Sequence, residues 1–162
     1  MNPLPKKKPL ELSDFSKAYN GPMEDLLPHR APFLFLEKLL YFTTESFIGE
    51  MTFHEDMWFF KGHFPQYPVV PGVILLESVA QCGGAGLVAS GLIQNGVFLL
   101  ISANNVKFRR QVRPNETIRI EIVNLKFNKR LVKLGGKAFV GDELAMDAEF
   151  VCVMGAVEAP AN

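Results

Sequence analysis

The chain has 162 residues, enough for one domain with a sizeable core, and its 48% hydrophobic and 21% charged residues exclude intrinsic disorder. Because 17 basic residues balance 17 acidic ones, the net charge does not indicate binding to nucleic acid or to an anionic membrane. No uncharged apolar stretch has the roughly 18 residues of a membrane span, and no apolar segment follows Lys6–Lys8 as in a secretory signal. Cys82 and Cys152 lack metal-ligand spacing, which predicts reduced, buried thiols in a cytoplasmic protein.

The first part of the chain predicts a tail, a short helix and two strands. Residues 1–9 form the tail, and a helix is predicted from the cap signal at Ser13 to the breaker sequence at 20–22. We therefore divide the chain into an N-terminal tail and short helix (1–22) and one domain (23–158). Residues 26–42 predict a turn that leads into a buried strand, and residues 47–53 predict the next strand.

The second part of the chain has the two-residue periodicity of half-buried strands. Isoleucines at 118, 120 and 122 alternate with polar residues, and residues 144–152 alternate in the same way. Residues 97–108 and 128–140 also predict strands. Together with one apolar helix from Pro71 to about Ser90, this predicts an α+β fold in which five or six antiparallel strands curve around a long central helix.

The predicted helix contains glycines that are unfavourable in a helix interior. Gly83, Gly84 and Gly86 each cost roughly 1 kcal/mol relative to alanine. A close approach to the sheet or to a second subunit would explain them. The alternative is that the helix ends near Gly83.

Glu77 is an ionisable residue on a mostly apolar face of this helix. Its neighbours at three and four positions are Val73, Ile74, Ala80 and Gln81. A buried carboxylate must be hydrogen-bonded, paired or neutral, so Glu77 is either a catalytic acid or a structural carboxylate satisfied by its surroundings.

His63 and the start of the helix complete a candidate acid–base site. A histidine in a loop can exchange a proton at cellular pH, although many loop histidines have no such role. Pro71 suits a helix start, which leaves the N–H groups of Gly72 and Val73 free to bind a carbonyl or oxyanion. Ordinary helix initiation gives the same pattern.

Three stretches carry a resemblance to a known family. The chain resembles the FabZ type of the 3-hydroxyacyl-[acyl-carrier-protein] dehydratases in LPHRAPFLFLEKL (27–39), FFKGHFPQYPVVPGVILLESVAQCGG (59–84) and NNVKFRRQVRPNE (104–116). The match extends over roughly residues 24–155. It implies a hot-dog fold, a helix wrapped by a curved sheet, and a dimer with sites at its interface, often assembled further as a trimer of dimers.

The resemblance also assigns roles to individual residues. His63 matches the catalytic histidine, and Glu77 matches the catalytic acid that the other subunit contributes. A glutamate here differs from the aspartate of the related dehydratase–isomerase. Gly72 matches the residue whose N–H holds the thioester carbonyl, and we expect Val73, Gln81 and Phe64 to contact substrate.

Three positions depart from the family pattern. Gln66 and Asn115 stand where the family has glycine, and Gln111 stands where it has proline. Asparagine tolerates the left-handed conformation, so the change at 115 is mild. Gln66 lies next to the site, where it would narrow the pocket or change its polarity. We expect these changes to affect the substrate range more than the reaction type.

The implied reaction removes water from a 3-hydroxyacyl thioester and requires neither a metal nor a redox cofactor. The acidic acyl carrier protein is the expected partner, and its predicted docking patch is a local basic cluster of Lys107, Arg109, Arg110 and Arg113. A solvated strand face or intersubunit ion pairs would explain the cluster equally well. Two alternative functions are a hot-dog thioesterase, which would not need His63, and a non-catalytic subunit that binds the carrier protein.

Overall fold

The computed structural model describes residues 18–94, 96–128 and 130–155. Its elements in chain order are β1 (Lys38–Phe42), β2 (Ser46–Thr52), α1 (Gly72–Ala89), β3 (Val97–Phe108), β4 (Thr117–Phe127), β5 (Leu131–Val140) and β6 (Glu143–Gly155), with short 3-10 helices at Met23–Asp25 and Trp58–Lys61. The predicted α+β fold is confirmed. The predicted tail and nearly all of the predicted helix after Ser13 lie outside the described residues.

The described strands form one antiparallel sheet in the order β1-β2-β4-β5-β6-β3. The last three strands in sequence, β4, β5 and β6, pair with their neighbours along the chain, as their short connections require. The strand β3, which follows the helix, pairs with β6 and forms one edge of the sheet.

The alternating pattern of β4 places its isoleucines in the core. Ile118, Ile120 and Ile122 are almost fully buried, whereas Thr117 is exposed. Each β4 isoleucine lies opposite a β2 residue in register, so the two strands present one continuous apolar face to the helix.

The helix α1 packs against all six strands and forms the centre of the core. It begins at Gly72, with Pro71 as the N-terminal cap residue, and continues through the glycines to Ala89. The expected span is therefore confirmed to within one residue at each end, and the alternative ending near Gly83 is wrong. By length and composition α1 could cross a membrane, but 61% of it is buried inside this fold, as expected of a core helix.

Close packing explains the helix glycines. A Cβ atom at Gly86 would overlap the ring of Phe47, and one at Gly83 would lie 2.6 Å from Leu134 Cδ1. Both neighbours are buried strand residues with little room to move. These two glycines allow the sheet to approach the helix backbone.

Two connections meet near the start of α1. The β2–α1 connection carries His63, and the β3–β4 connection carries Arg113 and Asn115. Backbone hydrogen bonds join them, from Val70 N to Val112 O (2.8 Å) and from Asn115 N to Phe53 O (2.6 Å). Asn115 has φ +65°, so it adopts the left-handed conformation expected at that turn.

Candidate active site

The Glu77 carboxylate is half-buried, less buried than its apolar face on the helix predicts. Its side chain is 24% exposed. Gln81 Nε2, one helical turn further along, donates to Glu77 Oε1 at 2.9 Å, and His29 Nε2 lies 3.5 Å from the same oxygen. These two contacts explain how α1 holds a carboxylate next to the core.

Gln81 uses its whole amide to hold this arrangement. Its Oε1 accepts from Phe35 N at 2.7 Å, and its Nε2 donates to Phe33 O (3.1 Å) as well as to Glu77. The residue is 2% exposed, and both amide hydrogens are engaged. In this chain Gln81 therefore positions Glu77 and the 33–35 segment. Contact between Gln81 and substrate stays a prediction.

The start of α1 offers two backbone donors. Among the described residues, the N–H groups of Gly72 and Val73 have no hydrogen-bond acceptor, while Ile74 N and Leu75 N bond to Pro71 O. The ring of Phe108 lies over Gly72, where an added Cβ would come within 2.8 Å of Phe108 Cζ. Together with the helix dipole, the free donors can stabilise a negatively charged oxygen.

His63 follows the 3-10 helix Trp58–Lys61 and is held by its own backbone. Its N–H donates to Phe59 O at 2.8 Å, and its partly exposed ring lies 4.2 Å from that of Phe64, centroid to centroid. Phe64 has φ +51°, an uncommon conformation for an aromatic residue, and is 60% exposed. No hydrogen bond or ion pair to a described residue engages the imidazole nitrogens.

His63 and Glu77 do not meet within one chain. Across the described ranges, no hydrogen bond, ion pair or ring contact joins them, and Glu77 is paired with His29 and Gln81 instead. The two predicted catalytic side chains of a single chain are therefore not in contact with each other.

A polar cluster of Tyr67, Gln111 and Arg113 links the loop after His63 to the β3–β4 connection. Tyr67 O–H donates to Gln111 Oε1 at 2.9 Å and accepts from Arg113 Nη2 at 2.8 Å. The Arg113 guanidinium also stacks on the Tyr67 ring, 4.7 Å from its centroid. Gln111 is thus a structural partner of the loop that follows His63.

Tyr67→Phe should lower the free energy of unfolding by about 1 kcal/mol, because it removes both hydroxyl hydrogen bonds but leaves a ring for Arg113 to stack on. Urea denaturation measures the change. Tyr41→Phe is the matched control, since its hydroxyl has no hydrogen bond to a described residue. Equal effects of the two substitutions would show that the cluster contributes nothing specific.

Two of the four residues of the predicted basic cluster are paired with acids of the same chain. Arg109 binds Asp147 at 2.6 Å, and Arg110 binds Glu116 at 2.8 Å and Glu143 at 2.6 Å. These hydrogen bonds raise the pKa of Arg110, and Arg110 lowers the pKa of Glu116. The two alternatives that the sequence offered for this cluster, a solvated strand face and ion pairs between subunits, did not include ion pairs within one chain.

The two cysteines are buried and unpaired thiols. Burial, with the Glu77 carboxylate as a smaller cause, raises the pKa of Cys152 to about 11, and burial alone raises that of Cys82. Both therefore stay protonated at neutral pH and are poor nucleophiles.

Comparison with known proteins assigns the family. A model of the FabA-like domain matches residues 27–149, most of the described fold. The chain belongs to the FabA-like family. It is 37% identical over 134 residues to 3-hydroxyacyl-[acyl-carrier-protein] dehydratase FabZ of Moorella thermoacetica, covering 82% of this chain and 94% of that protein. It is also 37% identical over 150 residues to the protein of the same name from Koribacter versatilis, covering 90% of each.

Solved structures of similar shape confirm the hot-dog fold. The dehydratase heterocomplex ApeI:P from Xenorhabdus doucetiae aligns with a TM-score of 0.72 at 15% identity, covering 86% of this chain and 94% of that one. Mouse thioesterase superfamily member 2 aligns with a TM-score of 0.56 at 18% identity, covering 72% and 80%. At these identities the likeness shows the fold alone.

Sequence reasoning missed two parts of the site. His29 lies within a stretch that was interpreted only as a turn, although it reaches Glu77 from 48 positions away. Nothing local in the sequence signals this pairing. The Tyr67 cluster was also missed, since its members lie on separate connections. Helical spacing alone could have indicated the Glu77–Gln81 pair.

Proposed function

We propose that this chain is a 3-hydroxyacyl-[acyl-carrier-protein] dehydratase that forms trans-2-enoyl thioesters. One observation carries the proposal: the Glu77 carboxylate is held by Gln81 on the helix that begins with the two free N–H groups of Gly72 and Val73. An acid and an oxyanion site on one rigid element suit elimination next to a thioester carbonyl. The FabZ relatives support the same reaction.

Two side chains account for both proton transfers of the proposed reaction. The Gly72 N–H polarises the thioester carbonyl and makes the proton on C2 acidic. His63 accepts that proton as the C2–C3 double bond forms and the C3–O bond breaks. Protonated Glu77 donates its proton to the departing hydroxyl, which leaves as water. Return of the proton from His63 to Glu77, through solvent, restores the enzyme.

A second copy of the chain would complete the site. His63 and Glu77 are separate in one chain, and β3 leaves one edge of the described sheet open. That edge exposes Leu99, Leu100 and Ile101 by 53%, 43% and 55%. An open edge with apolar side chains favours pairing with another strand, so we propose a homodimer with shared sites, which can assemble further as a trimer of dimers.

The acyl carrier protein would dock at the basic cluster. In this cluster Arg109 and Arg110 are paired with carboxylates. The cationic side chains of Lys107 and Arg113 have no carboxylate partner among the described residues. Lys107 and Arg113 would therefore contribute most of the attraction to an acidic partner. We place this reaction in the cytoplasm, where buried thiols remain reduced.

Mass spectrometry of the acyl group tests the function. Purified protein incubated with 3-hydroxyacyl carrier proteins of several chain lengths should remove one water from the substrate. Glu77→Gln keeps the size of the side chain but removes its acid, so we expect the rate to fall by at least about 100-fold. Circular dichroism of the variant controls for folding.

Other products would overturn the proposal. Release of free acid would identify a thioesterase. An unchanged acyl group on every substrate would favour a carrier-protein-binding subunit without catalysis. Undiminished dehydration by Glu77→Gln would remove Glu77 from the mechanism.

A further inference from the structure

We propose that His29 is a positioning residue, which fixes the Glu77 carboxylate so that its free oxygen carries the transferable proton. This inference rests on the proposed dehydration. His29 belongs to the loop 27–35, far from Glu77 in sequence, and places Nε2 3.5 Å from Glu77 Oε1. Its side chain is 26% exposed.

The surroundings of the imidazole determine its tautomer. The Nδ1 atom is buried and has no hydrogen-bond partner among the described residues. A proton on Nδ1 would be a buried donor without an acceptor, whereas a proton on Nε2 faces a carboxylate oxygen. Of the two neutral tautomers, these surroundings favour the one whose proton is on Nε2 and faces Glu77. The distance of 3.5 Å between Nε2 and Glu77 Oε1 is longer than that of an ordinary hydrogen bond, so this is an electrostatic contact.

Two donors therefore converge on one oxygen of Glu77. Gln81 Nε2 donates to Oε1 at 2.9 Å from the helix, and His29 approaches the same atom from the loop. The other oxygen, Oε2, has no partner in the described part of the chain. Because Oε1 accepts the Gln81 N–H and faces His29 Nε2, a proton on the carboxyl group resides on Oε2. Oε2 is then the atom that donates to the departing hydroxyl.

Hydrogen bonds hold the loop 27–35 at both of its ends. Arg30 Nη1 donates to Leu27 O at 2.8 Å and to His29 O at 2.7 Å, which fixes the backbone on both sides of residue 28. At the other end the Gln81 amide binds Phe33 and Phe35. The His29 ring stacks loosely on Phe33, with centroids 6.4 Å apart. The backbone around His29 is thus held by bonds that do not involve Glu77.

Kinetics of His29→Phe and His29→Gln test the role. Phenylalanine keeps a ring against Phe33 but has no donor, so we expect kcat to fall by about 10- to 100-fold with KM changed by less than about 2-fold. Glutamine can place an amide N–H near the position of Nε2, so we expect it to recover most of kcat. A residue with only a packing role would show the reverse order. That order, or an unchanged kcat in His29→Phe, would overturn the proposal.

Nuclear magnetic resonance gives a readout apart from activity. The chain has three histidines, so ¹⁵N-histidine labelling with single substitutions assigns every ring. We expect the neutral His29 ring to be the Nε2–H tautomer and its Nε2 signal to shift in Glu77→Gln. An Nδ1–H tautomer would contradict the inference. If the wild type fails to dehydrate any substrate, the proposed function fails instead, and the tautomer still decides whether His29 contacts Glu77.

Discussion

An equal mixture of His63→Ala and Glu77→Ala subunits, each inactive alone, is expected to recover about a quarter of wild-type activity after reassembly. Random pairing makes half of the dimers mixed, and each mixed dimer contains one site with both catalytic groups. The physical reason is that His63 and Glu77 do not touch within one chain. A site formed by a single chain would give no recovery.

The measurement needs proof that subunits exchange. Native mass spectrometry of subunits that carry different tags shows the mixed dimers, and the dehydration assay follows their activity. The matched control mixes Glu77→Ala subunits with subunits that carry both substitutions, which can form no intact site. Inactive mixed dimers would show that the two groups do not share a site between subunits.

Gly86→Ala is expected to lower the free energy of unfolding by about 2 kcal/mol, although alanine favours helices by about 1 kcal/mol. The new methyl group would overlap the ring of Phe47, which is fully buried in β2. Either the ring or the helix must move, and both lie in a close-packed core. Thermal unfolding at fixed protein concentration should show a decrease in Tm of about 4–8 °C.

Gly84→Ala is the matched control in the same helix. Its added Cβ would lie 3.4 Å from Leu27 Cδ2 and 3.7 Å from Phe98 Cδ2, which are ordinary contacts. We expect a stability change between zero and a gain of about 1 kcal/mol. If both variants were equally stable, the overlap with Phe47 would not explain the glycine at 86.

The candidate catalytic residues and the basic cluster differ in how much of their surroundings a local pattern can show. The helix carboxylate and the loop histidine were recognisable because each has a local signature, an acid on an apolar face and a histidine in a loop. Their partners were not recognisable, since His29 and the Tyr67 cluster depend on loops brought together by the fold. The basic cluster was visible in sequence, but its intrachain ion pairs join residues 6 to 38 positions apart.

The sequence by itself determined the strands, the central helix and the family. These features depend on periodicity and on motif spacing, which are local properties of the chain: Ile118, Ile120 and Ile122 alternate, and α1 spans the predicted residues. Only the tertiary structure decided how the site is held. Helical spacing places Gln81 beside Glu77, but Gln81 binds Phe33 and Phe35, and His29 reaches Glu77, because the loop 27–35 folds against α1. Such contacts arise from the packing of distant segments, and no local pattern encodes them.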